Sequence, residues 1–133
     1  MLWIIIGVTL FIGFIVFNYF RSKNAPEVKK SSKILIVNKK NFSGITRRGL
    51  VLVDFWAAWC QPCKLMLPVL NEIAETESVD VKVAKVNVEY EKQLAAKFKI
   101  KNIPTCIIFK DGVEYKRFSG VKTKRFLLKE INS

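Results

Sequence analysis

The chain contains no histidine and only three cysteines in 133 residues. A structural zinc site needs four ligands, usually Cys or His, so a single chain of this composition cannot assemble a four-ligand Cys/His site. Three cysteines is also an odd count, and too few for the paired framework that staples small secreted domains. Redox chemistry is what remains for them. Acidic residues are scarce as well: 11 Asp and Glu face 23 Lys and Arg, a formal net charge of +12. That excess invites a nucleic-acid reading, but the lysines are scattered, no arginine-rich block forms and no nucleic-acid motif accompanies them. We expect a solvated basic surface and no nucleic-acid partner, with attraction to anionic lipid headgroups as the sharper reading.

Residues 2–20, LWIIIGVTLFIGFIVFNYF, lack charge altogether. At 1.5 Å per residue such a helix spans about 28 Å, close to the roughly 30 Å hydrocarbon core of a bilayer. Trp3 at one end and Asn18 and Tyr19 at the other suit the two interfaces. A cleaved signal peptide would show a positive start and small residues before the cut; Met1 and Leu2 carry no side-chain charge, and NYFRSKNAPE offers no A-x-A-like site. The expectation is an uncleaved single-pass anchor over 1–20, in contact with the lipid bilayer. Arg21, Lys23, Lys29, Lys30 and Lys33 follow the span and no cationic side chain precedes it. The positive-inside rule therefore places the following domain in the cytoplasm, with an extracytoplasmic domain as the alternative. Residues 21–32, RSKNAPEVKKSS, read as a flexible basic linker, and 33–133 as one domain able to build its own core.

Strands and helices alternate along the body. KILIV (33–37), LVLVDFW (50–56), VKVAKVNV (81–88), PTCIIFK (104–110) and VEYKRFS (113–119) read as strands. Helices are expected within 38–49 and over 61–77, 89–100 and 122–132. The spacing in 61–77 puts Leu65, Val69, Leu70 and Ile73 on one face, with Pro62 in the first turn and Pro68 at an expected kink. Asp-Gly at 111–112 closes a hairpin, so the last two strands run antiparallel. The order βαβαβαββα implies an α/β fold, a central mixed β-sheet flanked by helices.

Two features carry chemistry. Cys60 and Cys63 form a C-x-x-C pair where a buried strand gives way to a helix. A thiolate there faces the positive end of the helix dipole, so Cys60 becomes the nucleophile and Cys63 the resolving thiol. Six residues earlier Asp54 interrupts the apolar strand. A carboxyl buried there has a raised pKa and can take a proton from Cys63 and return it; an Asp that merely faces solvent is the alternative. Lys85, in the neighbouring strand, either contacts and tunes Asp54 or is exposed. Cys106, on another strand, is expected to be a buried, inert thiol.

VDFWAAWCQPCK (53–64) resembles the active-site segment of the thioredoxin family. VAKVNVE (83–89), IPT (103–105), FKDG (109–112) and Gly120 follow in family order, so the resemblance covers about residues 34–131. It implies a thioredoxin fold and a protein-disulfide reductase that works through a redox-active Cys60–Cys63 disulfide with no bound cofactor. It also implies that Asp54 is the buried acid with Lys85 beside it, and that Pro104 is a cis-proline facing the dithiol. Trp59, Pro62, Ile103, Pro104 and Gly120 match the family's apolar docking rim, while Trp56 is assigned to core packing. The implied partners are disulfide-containing proteins and an electron donor, either a thioredoxin reductase or a membrane dithiol. Gln61-Pro62 departs from the usual Gly-Pro, and no histidine lies between the cysteines, which favours a reducing couple. A membrane-tethered reductase is the expected function. The alternatives are a tethered binding scaffold, or an exported oxidant or isomerase if the domain faces outside.

Overall fold

A computed structural model of the chain describes residues 1–23 and 27–133. Positions 24–26, part of the expected linker, lie outside the described residues. Helix α1 (Leu2–Lys23) contains the whole uncharged run and buries none of its side chains against the rest of the chain. Its length and composition suffice to cross a membrane. The helix runs past residue 20, so that Arg21 and Lys23 lie in its last turn, where cations oppose the negative end of the dipole. Two polar side chains within the apolar run are satisfied internally: Thr9 Oγ1 donates to the Ile5 carbonyl at 3.0 Å, and Asn18 Nδ2 to that of Phe14 at 2.8 Å.

The body follows the expected order: β1 (Leu35–Ile36), α2 (Phe42–Thr46), β2 (Leu50–Trp56), α3 (Gln61–Glu75), β3 (Val81–Asn87), α4 (Lys92–Lys97), β4 (Thr105–Lys110), β5 (Val113–Ser119) and α5 (Lys124–Asn132). The strands form one mixed sheet in the order β1-β3-β2-β4-β5. β3 pairs in parallel with β1 and β2, and β4 in antiparallel with β2 and β5. Asp111 (φ 50°) and Gly112 (φ 86°) turn the β4–β5 hairpin. Two successive positive φ values are what Asp-Gly tolerates and most dipeptides do not.

The near-continuous apolar run of β2 reflects burial on both faces. Leu52 points into a layer with Met66, Leu70 and Ile73 of α3 and Leu127 and Ile131 of α5. Val51, Val53 and Phe55 point the other way, against Phe42 of α2 and Leu94 of α4. Side chains alternate along a strand, so Asp54 falls on the Leu52 face, beneath α3.

Two expectations are corrected locally, the phase of α3 and the start of α4. The buried stripe of α3 is Cys63, Met66, Leu70 and Ile73, whereas Leu65 is 65% exposed. Helix phase is set by its start at Cys60, and the apolar Cys63 belongs to the stripe. α2 lies within the expected 38–49; it begins only at Phe42, after a turn in which Asn38 Oδ1 accepts from the N–H groups of Lys40 and Asn41. Asn87 Oδ1 does the same for the N–H of Glu89, and α4 starts only at Lys92. The last residues before the domain are held on α3. Ser31 N–H donates to Asn71 Oδ1 at 2.8 Å, Asn71 Nδ2 donates to the Lys29 carbonyl at 2.8 Å, and the Ser31 hydroxyl donates to the Glu75 carboxylate.

Candidate active site

The chain leaves β2 at Trp56, turns, and enters α3 with Cys60 as the N-cap residue in an extended conformation. The Cys63 N–H donates to the Cys60 sulfur at 3.2 Å, so a side-chain sulfur occupies the place usually taken by a Ser or Asp oxygen. Pro62 stands in the first turn, where its missing N–H has no intrahelical partner to lose. Cys60 and Cys63 are joined as a disulfide, with Cα atoms 5.3 Å apart. Both cysteines are buried. On reduction, the N–H donor and the helix dipole would both favour a thiolate on Cys60.

Asp54 is fully buried. Strand register places Lys85 of β3 on one side of it and Cys106 of β4 on the other. Burial pushes the carboxyl up to about 7, opposed by the positive charge of Lys85 and by a hydrogen bond from Cys106. The Cys106 thiol donates to Oδ1 at 3.8 Å, while Oδ2 has no partner among the described residues. Lys85 is buried rather than exposed, and its ammonium lies 4.1 Å from the centroid of the Trp56 ring. Burial lowers the Lys85 pKa and Asp54 pulls it back up. Trp56 is thus half-buried and doubles as the platform for this cation, a role that core packing alone does not describe. Cys63 is the first buried residue of α3, the helix whose Met66, Leu70 and Ile73 pack on the Asp54 face of the sheet; the cysteines themselves pack with Ala57 and Ile103.

Of the expected rim residues, Ile103 is the one that packs against the disulfide cysteines among the described residues. The Ile103–Pro104 bond is cis, and Ile103 packs against Ala57, Cys60 and Cys63. Gly120, at φ 83°, donates its N–H to the Pro104 carbonyl at 2.8 Å. That left-handed conformation explains why glycine stands there. Trp59 is 65% exposed. Its indole N–H donates to the Glu89 carboxylate. Pro62, three residues further on, is also exposed. Nothing local to VNVE marks Glu89, because its contact with Trp59 bridges two separate strand ends. Chemically, the arrangement is a two-electron dithiol–disulfide couple on a domain that also buries a carboxyl of raised pKa.

The family model for thioredoxin matches residues 33–133. A thioredoxin from Mycobacterium tuberculosis is 50% identical over 82 residues, covering 62% of this chain and 71% of that protein. A thioredoxin from Chlamydia pneumoniae is 40% identical over 99 residues, covering 74% and 96%. A bifunctional thioredoxin reductase/thioredoxin from Mycobacterium leprae is 45% identical over 82 residues, 62% of this chain and 18% of that one. Among solved structures, a mutant thioredoxin from Halobacterium salinarum superposes with a TM-score of 0.71 at 29% identity, over 79% of this chain and 93% of its own. Sheet order, the disulfide at the head of α3 and the matched sequence agree, and the chain belongs to the thioredoxin family of protein disulfide oxidoreductases.

Proposed function

We propose that the chain is a membrane-tethered reductant of protein disulfides, organised as an anchor (1–20), a linker (21–32) and a catalytic domain (33–133). The observation that carries this reading is Asp54, a carboxyl held near pKa 7 by burial on the face covered by the Cys63 helix. In the reduced protein the Cys60 thiolate attacks a substrate disulfide, forming a mixed disulfide and releasing one substrate thiolate. Asp54 takes the proton of Cys63, whose sulfur then attacks Cys60 and releases the second substrate thiolate. Two electrons pass to the substrate and the Cys60–Cys63 disulfide remains. Lys85 tunes the carboxyl, and Trp59, Pro62, Ile103, Pro104 and Gly120 seat the substrate backbone around the dithiol. A neutral Gln61 and the absence of histidine between the cysteines favour the reducing direction. The electron donor in this reading is a thioredoxin reductase, an activity that the Mycobacterium leprae relative carries in the same chain; a membrane dithiol is the alternative.

α1 and the cations after it support a membrane anchor with the domain on the cytoplasmic side. Cys60→Ser should abolish disulfide reduction, and Cys63→Ser should accumulate mixed disulfides that are visible on non-reducing gels. Paired reporters fused at Ser133, active on opposite sides of the membrane, test the sidedness. An external domain would redirect the reading toward an exported isomerase or oxidant. Reduction that persists in Cys60→Ser would refute it.

A further inference from the structure

Asp54 is surrounded on its sheet face by apolar side chains, with Leu52, Val83 and Ile108 in the same layer. At position 106 a valine or isoleucine would continue that pattern. Cys106 stands there instead, directly across from Asp54 in the β2–β4 register, and its thiol reaches Oδ1 at 3.8 Å. Lys85, on the opposite side, does not replace this contact. Its ammonium lies over Trp56, and among the described residues no ion pair joins it to Asp54. Cys106 is therefore the one side-chain donor to the carboxyl among the described residues, and Oδ2 is left without a partner.

We propose that Cys106 is a positioning residue for the exchange reaction: its thiol anchors Oδ1 of Asp54 and leaves Oδ2 free to receive the Cys63 proton. This rests on the reading of Asp54 as proton acceptor. A donor is available throughout the working pH range, because burial and the neighbouring carboxyl hold the Cys106 thiol well above its ordinary pKa. Cys106 is not a third redox thiol in this scheme: fully buried and protonated, it neither attacks nor is attacked. The ionisable groups that act on the carboxyl are Lys85 on β3 and Cys106 on β4; Cys60 and Cys63, at the start of α3, become ionisable only when their disulfide is reduced. Lys122 acts on Cys106 and Lys30 on Lys85 from further out. A hydrogen bond to a carboxylate stabilises its charged form, so its loss should raise the pH at which Asp54 ionises.

The test uses the full chain in detergent, with Cys106→Val, Cys106→Ser and Asp54→Asn. Disulfide reduction is measured from pH 5.5 to 9, and the Asp54 carboxyl is titrated in parallel by its carbon-13 resonance. Cys106→Val, which keeps shape and removes the donor, should move the Asp54 titration and the acidic limb of the rate profile to higher pH. The rate near pH 6.5 should fall roughly threefold to fivefold. Cys106→Ser, which restores a donor, should return both toward wild type. In an Asp54→Asn background, Cys106→Val should leave the profile unchanged. If Asp54→Asn alters the profile of the wild type while Cys106→Val moves neither titration nor rate, the role of Cys106 is overturned and the role of Asp54 stands. If Asp54→Asn itself leaves the profile unaltered, both fall.

Discussion

At the scale of single residues, the active centre combines groups that destabilise the fold with groups that hold them in place. Asp54 ionises at 3.8 in the ordinary case and at about 7 here, because burial disfavours its charge. Below about pH 4 native and unfolded chains both hold the proton, and no penalty arises. Between about pH 4 and pH 7 the unfolded chain ionises first, so native stability falls as pH rises, and above the folded value the loss is complete. The two pKa values bound that loss at about 4 kcal/mol. Asp54→Asn should therefore raise stability at pH 8 by roughly 1–4 kcal/mol and flatten its decline between pH 4 and 7, as read from urea unfolding of the detergent-solubilised chain. The same variant should lose reduction rate. Lys85→Met removes the cation that favours the carboxylate, so the acidic limb of the rate profile should move to higher pH.

At the scale of elements, α3 links the dithiol to the core. One end supplies the cysteines, its buried stripe supplies Met66, Leu70 and Ile73, and Asn71 and Glu75 near its other end grip residues 29–31. Apolar spacing alone nominates Leu65 for the core, yet Leu65 is 65% exposed and Met66 is fully buried. Met66→Ala should cost about 2–5 kcal/mol in thermal or urea unfolding, and Leu65→Ala about 0.5 kcal/mol or less. Equal losses would mean that Leu65 faces the core as fully as Met66. α5 begins with a conventional cap: the Thr123 hydroxyl accepts from the Phe126 N–H at 3.1 Å. Thr123→Ala should cost about 1 kcal/mol by the same measurement, with reduction unaffected.

At the scale of the whole molecule, a thioredoxin domain and an apolar helix occur in one chain. α1 contributes no buried residue, so removing residues 1–23 takes nothing from the core. The truncated protein should appear in the soluble fraction and reduce a soluble disulfide substrate within about twofold of the intact rate. A truncated protein that loses this activity in solution would show that the helix does more than tether. Strong positive charge near the span adds attraction for anionic lipid, and raised salt should weaken that component without detaching the anchored chain.

Local chemistry along the chain was sufficient to locate the C-x-x-C pair, the acid in an apolar strand, the Asp-Gly hairpin and the uncharged segment at the start. Each depends on neighbours a few residues away, through dihedral preference, helix dipole or continuous hydropathy. Only the tertiary structure decided that Lys85 lies over Trp56, that Glu89 holds Trp59, and that Cys106 touches Asp54. Those contacts come from strand register and helix phase across dozens of residues. In a sheet of period two, a slip of one residue would have turned Cys106 to the opposite face, away from the carboxyl it now holds.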